Sequence, residues 1–211
     1  ANGTIRLWEL SHYTVAAEIR VPNELRPHVL VYTGGLILSG WSDGSLRCFD
    51  DRSHLEWEIP KAHRGALSAI AVSPRFILSG GDDGALRLWS PSTRAMLAQF
   101  SEHRSAIVSV LVDAIEPSFV HSCSRDKSIV TVDLKEERRV VTQKVVEGQF
   151  TAMAQSARGE RELVSVDHMG VVKMWDCDVV GKPVHSFVTH TERDDEMGRE
   201  KRVNHISISP A

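Results

Sequence analysis

Apolar and polar residues alternate along this chain in short runs separated by turn residues. The clearest stretch is 62–90, AHRGALSAIAVSPRFILSGGDDGALRLWS, with a strand-like run over 67–72, a second over 76–79 and a third ending at Trp89. Asp83-Gly84 separates the last two. Asp-Gly between alternating apolar runs predicts a hairpin, here through a type I′ turn with φ > 0 at both central residues. The second and third runs are therefore expected to be adjacent antiparallel strands.

The same pattern recurs. Trp8, Phe49, Trp89, Val132 and Trp175 close equivalent runs at spacings of 41, 40, 43 and 43 residues. Asn2-Gly3, Asp43-Gly44, Asp83-Gly84, Asp126-Lys127 and Met169-Gly170 keep one phase, six and five positions before those anchors. Ser39, Ser79, Ser122 and Ser165 form a further column ten positions before theirs. A period of about 40–45 residues with four short strands per unit is the mark of a propeller blade.

His63, Ser79, Asp83 and Trp89 at these offsets resemble the WD40 repeat. Ala62-His63 stands for the family's Gly-His step and Trp89-Ser90 for its Trp-Asp, which Trp175-Asp176 keeps intact. Glu102-His103 and Thr189-His190 look like the same His step. The resemblance covers almost the whole chain and implies an all-β WD40 β-propeller. About five blade units are present, of what is expected to be a seven-bladed or double propeller.

In order, 1–10 reads as the end of a preceding blade. Residues 11–50, 51–90, 91–134 and 135–177 read as blades, and 178–211 as a partial blade with a charged insertion, TERDDEMGREKR, at 191–202. Outer strands are expected near 14–19, 55–59, 96–100 and 184–188. The unit 11–50 has no His at its step, so packing is expected to hold it more than polar contacts. In 135–177, Gln149 replaces the His and Met169 the Asp. VNHISISP at 203–210 repeats LSAIAVSP at 67–74, predicting a first inner strand with no later strands of its blade; a fragment of a larger propeller is expected, the alternative being a closed five-blade ring with a missing strand supplied from elsewhere.

Composition narrows the function. The 211 residues are 42% hydrophobic and 25% charged with a formal net charge of −3, which gives no sequence-independent reason to expect nucleic acid or an acidic membrane as partner. No apolar run approaches a membrane span. Cys48, Cys123 and Cys177 are odd in number and far apart, which fits reduced, buried thiols in the cytoplasm. His54, His121, His168, His185 and His205 lack metal-type spacing, and no glycine-rich phosphate loop precedes a helix, so no metal or cofactor is expected.

His63, Ser79 and Asp83 could make a hydrolase triad, which is recognised by geometry and not by order. Repetition argues against it, since His103, Ser122 and Asp126 recur at the same offsets. The resemblance implies instead a structural network in which Asp orients His, His reaches Ser, and Ser meets the Trp indole. A basic column, Arg6, Arg47, Arg87 and Lys173, lies two before each anchor and is interrupted by Val130. It reads as a salt-bridged or solvated column whose long stems cover apolar neighbours.

The resemblance further implies that the turn before each third strand and the loop before each first strand line the narrow face where partners dock. The candidate partner-binding residues there are Trp41, Ser42, Arg64, Asp82, Arg104, Arg125 and His168. An exposed Trp41 among charged groups would suit an interface hot spot, and a buried one would fill the disc. The expected function is a non-catalytic scaffold for other proteins, without small-molecule substrate. The stretch 102–146, with SRDKSIVTVDLKEERRV, is similar to repeats of axonemal WD proteins of cilia and flagella, implying a ciliary or cytoskeletal assembly. The alternatives are a substrate-receptor or signalling-adaptor propeller that recognises a short peptide, and a serine hydrolase.

Overall fold

The computed structural model describes residues 3–21, 24–155, 161–189 and 206. Asn2, Pro22, His190, the 191–202 insertion, and all of 203–210 except Ile206 lie outside the described residues, together with the expectations placed on them.

Eighteen strands and no helix occur among the described residues. β1 (Thr4–Glu9) pairs with β2 (Thr14–Arg20). The next sheet holds β3 (Pro27–Thr33), β4 (Leu36–Trp41), β5 (Leu46–Asp50) and β6 (Leu55–Ile59), paired in that order. It is followed by β7 (Leu67–Val72), β8 (Ile77–Gly81), β9 (Leu86–Trp89) and β10 (Met96–Phe100), and then by β11 (Ile107–Val112), β12 (Phe119–Ser124), β13 (Ser128–Asp133) and β14 (Arg138–Lys144). The last sheet is β15 (Phe150–Gln155), β16 (Glu162–Asp167), β17 (Val171–Asp176) and β18 (His185–Val188). Every pairing is antiparallel.

The sheets are out of phase with the sequence units. The outer strand that opens each unit hydrogen-bonds to the third strand of the unit before it, so β2 belongs with β1 and β6 with β5. In all four complete sheets the first strand carries a register shift at one equivalent place: Pro27/Val29, Leu67/Ala69, Ile107/Ser109 and Phe150/Ala152. One extra residue there bends the strand and raises its twist.

The core lies between sheets. Leu38, Leu46 and Cys48 meet Leu67, Ile70, Ile77 and Trp89 across the first interface. Leu78, Leu86 and Leu88 meet Ile107, Val120, Val130 and Val132 across the second. Cys123 and Ile129 meet Phe150, Leu163 and Trp175 across the third. Ile206 packs on the outermost described face, against Ala152, Val166 and Val172. β4, β8 and β12 are thus covered by neighbouring sheets on both sides, and β8 is buried throughout. Gly40 and Gly80 make this closeness possible, since a Cβ on either would lie 2.3 Å from Leu67 Cδ2 or 2.5 Å from Ile107 Cγ2.

Trp8 closes its run as Trp89 and Trp175 do but is 56% exposed, because among the described residues β1 has a strand partner on one edge only. One expectation needs correction. The hairpin turns are not type I′. Gly44, Gly84, Lys127 and Gly170 have φ of +79°, +72°, +70° and +78°, while the residues before them do not have positive φ. Each glycine or lysine N–H donates to the carbonyl three residues back, from Gly44 to Trp41 and from Gly84 to Gly81 at 3.0 and 3.1 Å. These are four-residue turns closed by a left-handed residue, the other common hairpin solution. The aspartate precedes that residue, where its carboxylate accepts the N–H two residues on, as in Ser45 N to Asp43 at 3.0 Å.

The turns also bear on the next blade. A Cβ on Gly44 would lie 2.1 Å from His63 O, whereas one on Gly34 (φ +55°) meets nothing within 4 Å. Gly34→Ala is expected to cost about 1–2 kcal/mol for left-handed backbone alone, and Gly44→Ala a further ~1–3 kcal/mol of overpacking. Denaturant midpoints of the two variants check this, and equal losses would contradict the inter-blade contact.

Candidate interaction face and the network beneath it

Ser39, Ser79, Ser122 and Ser165 sit in the second strands with no more than 1% exposure, so each hydroxyl must be satisfied inside the protein. At Ser79 the solution is complete. Trp89 Nε1–H donates to Ser79 Oγ at 2.8 Å, and His63 Nε2 stands 2.7 Å from the same oxygen. His63 Nδ1 lies 2.9 Å from Asp83 Oδ1, so its proton belongs there, and Nε2 accepts from the Ser79 hydroxyl. Asp83 also accepts from the N–H groups of Arg64 and Ala85 and from the Arg87 guanidinium. Burial would raise the Asp83 carboxyl, but these donors outweigh it and hold it down at about 2. Burial depresses His63, against the pull of Asp83.

This arrangement has the order Asp–His–Ser of a hydrolase triad. Its serine, however, has no exposed surface, and its oxygen is already taken by the indole.

Each blade alters the parts. In β11–β14, His103 keeps Ser122 at 2.8 Å and Asp126 at 3.2 Å, but Val132 in the anchor place supplies no indole donor. In β3–β6, where packing was expected to replace polar contacts, Trp41 takes over. It is fully buried and donates from Nε1 to Ser39 Oγ at 2.8 Å, while Arg47 stacks 5.2 Å from its ring centroid and pairs with Asp43. Trp41 occupies the strand position of Gly81, where a Cβ would come within 2.5 Å of the His63 ring. An indole fills the room that a histidine fills in the next blade. Trp41 is therefore removed from the exposed candidates: with no His at the step, only this large ring both fills the space and satisfies Ser39.

The same position is decisive in β15–β18. Asp167, not Met169, supplies the carboxylate: it is buried, accepts from Met169 N and Val171 N, and pairs with Lys173 Nζ at 2.8 Å. Trp175 keeps its bond to Ser165 at 2.8 Å. Sequence reasoning missed Asp167, although a charged residue at the end of a buried strand was the available signal.

The basic column is spent within the sheets. Arg6 faces Glu18, Arg47 faces Asp43 and Glu58, Arg87 faces Asp83, and Lys173 faces Asp167.

The remaining candidates sit on one face because the main chain pins them there. Ser42, Asp82, Arg125 and His168 each donate their N–H to the carbonyl of the residue before the first strand, Arg26, Ala66, Ala106 and Gln149, at 2.9–3.0 Å. Each turn is thereby tied to its neighbouring loop. Arg64, Asp82, Arg104 and Arg125 are exposed, and Ser42 and His168 half-buried. Ser42 Oγ accepts from Arg26 N and His168 Nδ1 from Gln149 N, so both serve the loops as well as the surface. Among the described residues the guanidinium groups of Arg64, Arg104 and Arg125 meet no carboxylate.

The described residues contain one His, Cys and carboxylate group, Asp113, His121 and Cys177, with ligand atoms within 4.8 Å. Its donors are committed elsewhere. His121 bonds Asp113 at 3.0 Å and Thr131 at 2.9 Å, and Asp113 also accepts from Ile115 N and Glu116 N. Burial pushes the Cys177 thiol up to about 12. Arg161, just before β16, pairs with Asp113 at 3.5 Å and so links the group to the next sheet.

Residues 57–90 match the family model described as WD domain, G-beta repeat. The fold is that of a WD40 β-propeller. A chain in the crystal structure of the mitotic checkpoint complex superposes with a TM-score of 0.85 at 17% identity, covering 99% of this chain and 63% of that one. The computationally designed Ika8 protein gives 0.72 at 20% identity, covering 100% and 60%. Among curated proteins, cilia- and flagella-associated protein 52 of Mus musculus is 31% identical over 146 residues, and that of Chlamydomonas reinhardtii 34% over 145. WD repeat-containing protein 90 of Mus musculus is 31% identical over 120 residues. The chain spans 23% of the length of the first two relatives and 6% of the third.

Two outcomes follow from the WD40 network. Ser79→Ala strands both an indole N–H and His63 at about 1–3 kcal/mol each, so it should destabilise more than Ser122→Ala, where no indole is involved; denaturant titration ranks them. Acid should weaken the fold in two stages. The depressed base His63 is neutral when folded, so stability falls as pH drops below the ordinary value of 6.5. The depressed Asp83 adds stability above its unfolded value of 3.8 that is lost as pH falls toward about 2. Chemical denaturation from pH 8 to 2 reads both stages, and His63→Gln should remove its share of the first.

Proposed function

We propose that this chain is a rigid, non-catalytic interaction scaffold of a ciliary or other cytoskeletal assembly. The observation that carries the reading is the repeated clamp between turns and loops: main-chain bonds fix exposed Asp82 and Arg125, and the Asp83 and Asp126 carboxylates accept the N–H groups of exposed Arg64 and Arg104. Loops fixed before binding lose little entropy on docking, and unpaired arginines on such a surface are favoured anchors. The burial of Ser79 supports the non-catalytic part. The ciliary part is supported by the similarity to cilia- and flagella-associated protein 52 in two organisms.

The exposed Arg64, Asp82 and Arg125 favour, as a second reading, a receptor or adaptor that captures one short peptide on this face. The intact protein should be retained with detergent-extracted axonemes of ciliated cells, and an Arg64→Ala, Arg125→Ala double variant should be released at lower salt. A protein found wholly in the detergent-soluble fraction contradicts the cytoskeletal reading. Complete loss of binding to one linear peptide in the double variant, with axonemal retention absent, selects the receptor.

A further inference from the structure

The basic column has one gap, and the gap coincides with a cleft. Where the third strand faces the outer strand, Arg47 stands opposite Glu58, Arg87 opposite Gln99, and Val130 opposite Thr142. In the first two pairs the base is spent on its neighbour: Arg47 reaches Glu58 at 2.8 Å, and Arg87 reaches Gln99 and Asp83, each at 2.8 Å. Val130 has no donor to give. The acceptors that an arginine would use are still in place. Asp126 corresponds to Asp83, and among the described residues its carboxylate meets His103, Ser128 and two main-chain N–H groups but no arginine or lysine side chain. Thr142 corresponds to Gln99, and its Oγ1 is buried with no hydrogen-bond partner among the described residues. Both residues line a cleft of about 240 Å³ with Val130 and with Glu102, whose carboxylate is already paired with Arg139 at 2.9 Å, so Asp126 is the carboxylate there that no guanidinium answers among the described residues.

We propose that this cleft receives an arginine side chain of a partner protein, presented on an acidic segment. The inner part lacks a cation, because the guanidinium that neutralises the turn aspartate in the two preceding blades is missing here. A planar guanidinium supplies several fixed donors and remains charged when buried, which suits Asp126 and Thr142 together. The rim has the opposite need. Arg104, Lys127 and Lys144 line it without a carboxylate partner, so a lone arginine would be repelled and one flanked by Glu or Asp drawn in. An anion by itself would answer the rim and then face Asp126. The inference rests on the scaffold reading and names the chemistry of one of its partners.

The test titrates the intact protein with the acetylated, amidated tripeptides Glu-Arg-Glu and Glu-citrulline-Glu, which differ in the charge of one group of nearly the same shape, by calorimetry or NMR. The arginine peptide should bind saturably, and the citrulline peptide at least about tenfold more weakly. Val130→Arg should abolish the arginine-specific binding, because the column is then complete within the chain. Should that variant fail to fold, Thr142→Leu, which fills the cleft, should abolish the binding too. Equal affinity for the two peptides, no saturable binding of the arginine peptide, or unchanged binding in the folded variant would each overturn the proposal. Axonemal retention of the unaltered protein is read separately, so failure of the scaffold reading is distinguishable from failure of the cleft.

Discussion

A serine hydroxyl buried in the second strand of every complete sheet sets the terms for the rest of the structure. The serine has no more than 1% exposure in any of these strands, so water cannot satisfy its hydroxyl, and an unmade bond there costs more than a made one contributes. Each blade must therefore bring a partner to the same spot. Trp89 and His63 do so in one sheet, His103 in the next, Trp175 in the last, and Trp41 in β3–β6. The partners come from different strands and loops, so satisfying the serine also fixes where those segments lie.

The substitutions between blades follow from space as much as from polarity. The final position of the second strand holds Trp41, Gly81, Ser124 or Asp167, and this choice decides what else fits. Glycine leaves room for the His63 ring, tryptophan fills that room itself, and aspartate brings a carboxylate that the turn no longer supplies. A blade that departs from the commonest residues is repaired at a different position. The architecture survives because the volume and the hydrogen-bond requirement are both met.

This economy of internal bonds is also what frees the surface. The turn aspartates, the strand arginines and the histidines are consumed within the sheets, while the arginines just outside the clamps are not. Rigidity and availability thus come from one design: backbone amides hold the loops, and the side chains on them remain for others. Where a column member is missing, at Val130, its acceptors are left without their cation.

The repeat, the all-β class, the place of most strands in the first units and the column of serines were legible in the sequence, because strand periodicity, turn residues and spacing are local properties repeated several times. The pairing of His63, Asp83 and Trp89 with Ser79 was expected in advance only through the resemblance to the WD40 repeat. The roles of Trp41 and Asp167 were not legible. Both lie at the end of a buried strand, and what they do depends on a ring or carboxylate that is absent many residues away. The phase of the outer strands, the turn geometry and the cleft at Val130 were likewise decided only by the tertiary structure, since each depends on which segments pack side by side and on the volume left between them, quantities that no single stretch of chain contains.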